Sequence, residues 1–175
     1  MAGRFGGRAL VAPRGRATRP TSDRVREALF SILGDSVAGT RVLDLFAGSG
    51  ALAIEALSRG ASDATLVDSS AAAVAAIRRN LAEVGIEAEV RRQDALAYLR
   101  RASRDARQYD LVFLDPPYRH AGALGRELST ALGPVLAPPA RVVAESDRRA
   151  PLDLDLDLLD ERRYGDTLIR IHGPR

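Results

Sequence analysis

The chain contains no cysteine, no tryptophan and a single methionine in 175 residues, and all 26 of its basic residues are arginine. Without thiols it has no disulfide, thiolate metal site or cysteine nucleophile, so its chemistry must run on oxygen, nitrogen and backbone groups. Four Phe and four Tyr are the only aromatics, which leaves Ala, Leu and Val to build the core. No segment approaches the roughly 20 apolar residues that cross a bilayer. The opening MAGRFGGRAL lacks a signal-like apolar stretch, so a soluble cytoplasmic protein is expected. The length suits one compact domain with a small appendage, and a monomer is the default for so short and polar a chain. No credible metal set is visible.

Charge is unevenly spread. Residues 1–30 carry seven Arg against Asp23 and Glu27, a net +5, while the remainder sits at −2. Such an arm suits a polyphosphate partner. Residues 1–20 are rich in Gly, Arg and Pro around an apolar interruption at Ala9–Ala12, which reads as a short hairpin or ordered arm. The expected division is therefore an arm at 1–20 and a folded body at 21–175. Arg4, Arg8, Arg14, Arg16 and Arg19 are candidate phosphate contacts. Thr21 or Ser22 can cap a helix running to Leu33, with Arg24, Arg26 and Glu27 largely turned away from its packed face.

From Thr40 onward apolar strands alternate with helices. Strands are expected at Arg41–Leu45, Ala64–Val67, Ala88–Arg91, Leu111–Leu114 and Arg141–Glu145, and helices at Leu52–Ser58, Ala71–Ala82, Ala95–Arg101 and Gly122–Leu132. That alternation demands parallel crossovers and a doubly wound α/β sheet covered on both faces. Ala137–Ala140 reads as a connection. The Asp-Leu alternation of Leu152–Leu159, with Thr167–Ile171, predicts a terminal antiparallel pair. His120 reads as a loop residue near the later Pro corner, and His172 as terminal-strand surface.

The segment RVLDLFAGSGALAIEA, Arg41–Ala56, delivers Asp44 and Phe46 from a buried strand into a turn where Gly48 and Gly50 permit close ligand approach. Asp68, followed by Ser69, ends the next strand, where a carboxylate can accept from a ribose diol. Asp94 and Ala95 end the third, where a carboxylate and an N–H can read an adenine edge. A carboxylate inside the glycine turn is poorly placed beside a pyrophosphate but well placed beside the cationic methionine end of S-adenosylmethionine. The plainer alternative is that the three acids only fix a loop and cap helices.

YDLVFLDPPY, Tyr109–Tyr118, ends a central strand in a stiff corner, because the prolines stop it from continuing. Asp115 and the Pro116 carbonyl can each accept an N–H of an exocyclic base amine, Pro117 stiffens the turn, and Tyr118 can stack on the base. The methyl donor is already activated by its positive sulfur, so direct transfer without a covalent enzyme intermediate is expected. A stacked base cannot reach such a corner, so the target must be unpaired or flipped out.

These motifs resemble the class I S-adenosylmethionine-dependent methyltransferase family. More closely, RPTSDRVREALF at Arg19–Phe30, LDLFAGSGALAIEALSRGA, LVDSS, DPPY and RYGDT at Arg163–Thr167 resemble the RsmD-type bacterial 16S ribosomal RNA methyltransferases. The resemblance spans nearly the whole chain. It implies a mostly parallel seven-stranded Rossmann-like sheet with an antiparallel terminal strand and a small N-terminal β-hairpin extension. It also implies guanine-N2 methylation of 16S rRNA in the small subunit or an assembly intermediate. By that resemblance Asp44, Gly48, Gly50, Asp68 and Asp94 match cofactor-site motifs and Asp115–Tyr118 the catalytic motif; Asp68 stands where relatives often have Glu. The alternatives are a DNA adenine-N6 or cytosine-N4 methyltransferase, since DPPY suits those amines too, or a non-catalytic ribosome assembly or RNA-binding factor. A protein glutamine methyltransferase generally has Asn at the position of Asp115, and a hydride-transfer enzyme would need a proton donor this corner does not supply.

Overall fold

The computed structural model describes residues 23–117 and 121–174. The arm at 1–20 with its five arginines, the Thr21 or Ser22 cap, Tyr118 and His120 all lie outside the described residues.

The order of elements is α1 (Asp23–Leu33), β1 (Arg41–Leu45), α2 (Ala51–Ser58), β2 (Asp63–Asp68), α3 (Ala71–Val84), β3 (Glu89–Arg92), α4 (Ala95–Arg104), β4 (Tyr109–Leu114), α5 (Ala121–Leu132), β5 (Leu136–Asp147), β6 (Asp157–Tyr164) and β7 (Thr167–Gly173). The seven strands form one sheet in the order β3-β2-β1-β4-β5-β7-β6. β1 to β5 run parallel, and β7 lies antiparallel between β5 and β6. This is the class I Rossmann-like arrangement. Chain order reverses direction between β1 and β4, which opens a crevice at the carboxyl ends of those strands.

Two apolar layers cover the sheet. One face packs against α1, α2 and α3 through residues such as Phe30, Ile54 and Ile77, and the other against α4 and α5 through Leu99, Leu128 and Leu132. In α1, Val25, Leu29, Phe30 and Leu33 recur at helical spacing and are buried, the pattern of an amphipathic helix. Arg26 departs from expectation, because it too is buried. Its guanidinium bonds Asp23 and lies 3.9 Å from Glu55, a carboxylate buried on α2. A buried carboxylate needs countercharge, and Arg26 adds a second, longer contact to the ion pair that Arg59 makes with Glu55 at 2.9 Å.

The C-terminal third differs from the sequence pattern in three places. β6 begins at Asp157 rather than Leu152, and Leu152, Leu154 and Leu156 pack instead against the α4–α5 layer. Gly125 makes room for this, since a Cβ there would strike the Asp153 carbonyl, and the Asp155 N–H donates to Ser129 Oγ at 2.8 Å. Ala137–Ala140 falls inside β5 as an irregularity: Tyr109 pairs with Leu136 and Leu111 with Arg141, so four residues of β5 stand opposite Asp110 alone. Two of them are prolines without an N–H for the ladder. His172 is buried at 3 % exposure, and burial holds its imidazole below the usual range.

At the amino ends of the parallel strands a polar knot ties β3, α4 and β4. The Tyr98 and Tyr109 hydroxyls bond one another, while Arg107 donates to Tyr98 at 2.8 Å and to Glu89 at 2.7 Å.

Candidate active site

The register of the parallel strands sets four carboxylates along one edge. Leu45 pairs with Val67 and with Leu114, so Asp68 and Asp115 emerge on either side of the turn that follows β1. Asp68 pairs with Arg92, and two residues later Asp94 opens α4. The sequence places these acids at successive strand ends, and the structure brings them to one edge around the crevice between β1 and β4.

The glycine turn is held by two side chains from neighbouring elements, Asp68 and Asn80. Phe46 adopts a left-handed φ of 65°, an unusual conformation for a residue with a side chain and one that recurs at ligand-binding turns. Asp68 accepts the Gly48 N–H at 3.0 Å and the Ser70 N–H at 2.8 Å. Asn80, fully buried in α3, donates to the Ser49 carbonyl at 2.9 Å. The sequence reading missed Asn80; its signal is a lone amide in the Ala-rich helix AAAVAAIRRNLAEV. The two glycines differ in duty. A Cβ on Gly48 would meet only the Phe46 carbonyl, at 3.9 Å, so that side of the turn is open, whereas one on Gly50 would lie 2.8 Å from Leu66. Gly48 leaves its side of the turn open, and Gly50 allows α2 to pack on β2.

Asp44 is buried at 2 % exposure and accepts a long bond from the Ala53 N–H, 3.2 Å. Burial, and secondarily the negative Asp68, push its carboxyl up to about 7. A buried acid in this state favours a cation beside it. Asp94 caps α4 by accepting the Ala97 N–H at 3.0 Å, yet its side chain stays exposed, and Ser69 is exposed beside it at the edge. Capping and ligand contact are compatible there. Ala95, the first residue of α4, is buried, with its N–H among the donors a helix start leaves unspent.

Asp115 is half-buried at the end of β4, followed by buried Pro116 and exposed Pro117. Burial, then Glu145, then Asp44 raise its carboxyl well above the ordinary range. Glu145 is the second residue the sequence reading did not single out. It lies one position past the Leu114–Ala144 pair and is buried at 4 % exposure. Its signal is an acid closing the apolar run VVAE.

Comparison with known proteins gives the chain a family. The profile of the family described as conserved hypothetical protein 95 matches residues 1–173. The ribosomal RNA small subunit methyltransferase D of Haemophilus influenzae is 33% identical over 178 residues, covering 98% of this chain and 91% of that one. Among solved structures, a hypothetical protein of Thermus thermophilus superposes with a TM-score of 0.85 at 29% identity, over 98% of this chain and 96% of the other. The fold is also that of the T. thermophilus 16S rRNA N2 G1207 methyltransferase RsmC, solved with AdoMet and guanosine, at a TM-score of 0.74 and 22% identity over 93% of this chain and 44% of the other. The chain thus belongs to the conserved hypothetical protein 95 family and is a class I S-adenosylmethionine-dependent methyltransferase related to the RsmD enzymes.

Proposed function

We propose that this enzyme methylates the exocyclic N2 amine of one guanine in 16S rRNA, within the small ribosomal subunit or an assembly intermediate. The observation that carries the reading is the placement of Asp115-Pro116-Pro117 across the switch-point crevice from Asp44 and Asp68. A carboxyl and a carbonyl there can engage an amine held opposite the glycine turn. The relationship to the H. influenzae ribosomal RNA small subunit methyltransferase D supports the choice of the small subunit, and the resemblance to the RsmD-type enzymes the choice of guanine.

The residues present suit S-adenosylmethionine on two counts: Gly48 leaves the turn open, and Asp44 is buried in a state that calls for a positive neighbour. Asp44, Phe46, Gly48 and Gly50 would surround its methionine end, Asp68 and Ser69 the ribose, and Asp94 with the Ala95 N–H the adenine. When bound, its sulfonium supplies an electrophilic methyl group, so the protein needs only to position the acceptor. Asp115 and the Pro116 carbonyl orient the amine through its two N–H groups, and Tyr118 covers the base. A positive group beside Asp44 favours ionised carboxylates nearby, which readies Asp115 to accept the proton the amine releases. The five arm arginines bind phosphates around the target. No helix among the described residues is long and apolar enough to cross a membrane.

The test is genetic and chemical together. Small-subunit RNA from cells lacking this chain should be missing one N2-methylguanosine by nucleoside mass spectrometry, and the wild-type gene should restore it. Unchanged 16S rRNA, with a methylated base lost from DNA or another RNA instead, would overturn the assignment.

A further inference from the structure

The RYGDT signature at Arg163–Thr167 has no part in the chemistry above, and the structure gives it a place. Gly165, at a φ of 62°, turns β6 into β7, and the following Asp166 faces the segment after β5. The Asp166 carbonyl accepts the Arg148 N–H at 2.9 Å, and its carboxylate lies 3.3 Å from the Arg148 guanidinium and 3.7 Å from that of Arg149. One carboxylate thus serves two arginines, and both remain largely exposed, with 52% and 72% of their side chains open.

Beneath them is a cavity of about 300 Å³ lined by Arg148, Arg149, Arg163 and Arg170, with Glu161 and Leu168. Glu161 and Asp153 neutralise the deeper Arg170. Arg163 spends one bond on Glu161 at 2.9 Å and leaves 73% of its side chain open. Asp147 also accepts the Arg149 N–H at 2.8 Å, so acids offset much of the charge, but the guanidiniums of Arg148, Arg149 and Arg163 stay largely exposed with N–H donors to spare, the chemistry that recognises a phosphodiester.

Its position matters as much. Asp147 pairs with Thr167, and Thr167 with Tyr164, so this corner projects from the same edge of the sheet as Asp115. β5, β7 and β6 succeed β4 in the sheet order, which at roughly 4.8 Å per strand sets the corner about 10–15 Å from the acceptor site. We infer that the Arg148–Arg149–Arg163 corner, braced by Asp166, is an RNA phosphate-binding site that grips the backbone beside the target nucleotide.

This deepens the proposed RNA methylation and rests on it for the choice of polymer. The test uses the full chain and a labelled mixed-sequence oligoribonucleotide, read by fluorescence anisotropy across a salt series, alongside cofactor affinity by calorimetry. Arg148→Gln/Arg149→Gln should weaken RNA binding about tenfold and lower the salt slope by about 1–2, with cofactor affinity unchanged. Arg148→Lys/Arg149→Lys should restore the slope. Arg78→Gln/Arg79→Gln, which removes equal charge from the exposed face of α3, should leave binding unaltered. Wild-type affinity and slope in the Gln pair, or an equal loss in the α3 control, would overturn the site. If wild-type protein methylates small subunits while the Gln pair keeps its slope, the corner fails alone; if the slope falls but no RNA is methylated, the methylation reading fails alone.

Discussion

The parallel half of the sheet and its antiparallel corner handle charge in opposite ways. Around the crevice at the ends of β1, β2 and β4, with Glu145 of β5 beside it, the charged groups are carboxylates, and Asp44, Asp68 and Glu145 are buried. Around the β6–β7 turn they are guanidiniums, exposed and held by shared acids. Buried acids raise one another's affinity for protons and prepare a place for a cation. Exposed arginines do neither; they cost little to hold and meet an anion without prior rearrangement. One edge thus combines a stiff, costly site for cofactor and amine with an inexpensive grip for a polyanion.

The largest effect separating the regions should come from Asp115→Ala. Loss of the group that orients the amine should lower kcat by roughly two to three orders of magnitude, with cofactor affinity by calorimetry nearly unchanged; retained turnover would remove Asp115 from the mechanism. Gly50→Ala should come next. It combines a left-handed φ of 79° with a 2.8 Å approach to Leu66, and strain plus overpacking should cost roughly 2–4 kcal/mol by urea denaturation.

The Asp44 carboxyl gives the parallel half a pH signature. Its folded value of about 7 exceeds the ordinary 3.8, so the folded chain takes up the proton first. Its contribution to stability is full below about pH 4 and is lost as pH rises through 7. Asp44→Asn should flatten cofactor-free stability across that window, and an unchanged pH dependence would contradict the burial argument. Glu145→Gln removes a like charge beside Asp115 and should move the acidic limb of the kcat profile to lower pH; a fixed limb would show that Glu145 does not act through Asp115. The smallest effect belongs to the corner: Arg163→Gln should change stability by less than about 0.5 kcal/mol.

Much of the carboxylate edge was legible in the sequence because strand periodicity and strand-end acids are local signals. β1 falls at Arg41–Leu45 as its apolar run predicts, and Asp68, Asp94 and Asp115 follow their strands in turn. The failures arise where a partner distant in sequence decides. Leu152–Leu156 alternates like a strand, but Gly125 on α5 offers a closer seat than the sheet edge. Arg26 reads as a surface charge until Glu55 is found buried opposite it. Asn80 and Glu145 carry no motif, and only packing brings them to the turn and to Asp115. RYGDT was visible as a signature, but its use depends on Arg148 and Arg149 across the hairpin.

Methyl transfer to RNA can be tried with purified components. Small subunits lacking native modifications, incubated with enzyme and S-adenosylmethionine bearing a labelled methyl group, should yield labelled N2-methylguanosine at a single 16S rRNA position. Protein that binds the cofactor but leaves the subunits unlabelled, or labels adenine or cytosine in DNA instead, would show that guanine N2 of 16S rRNA is not its target.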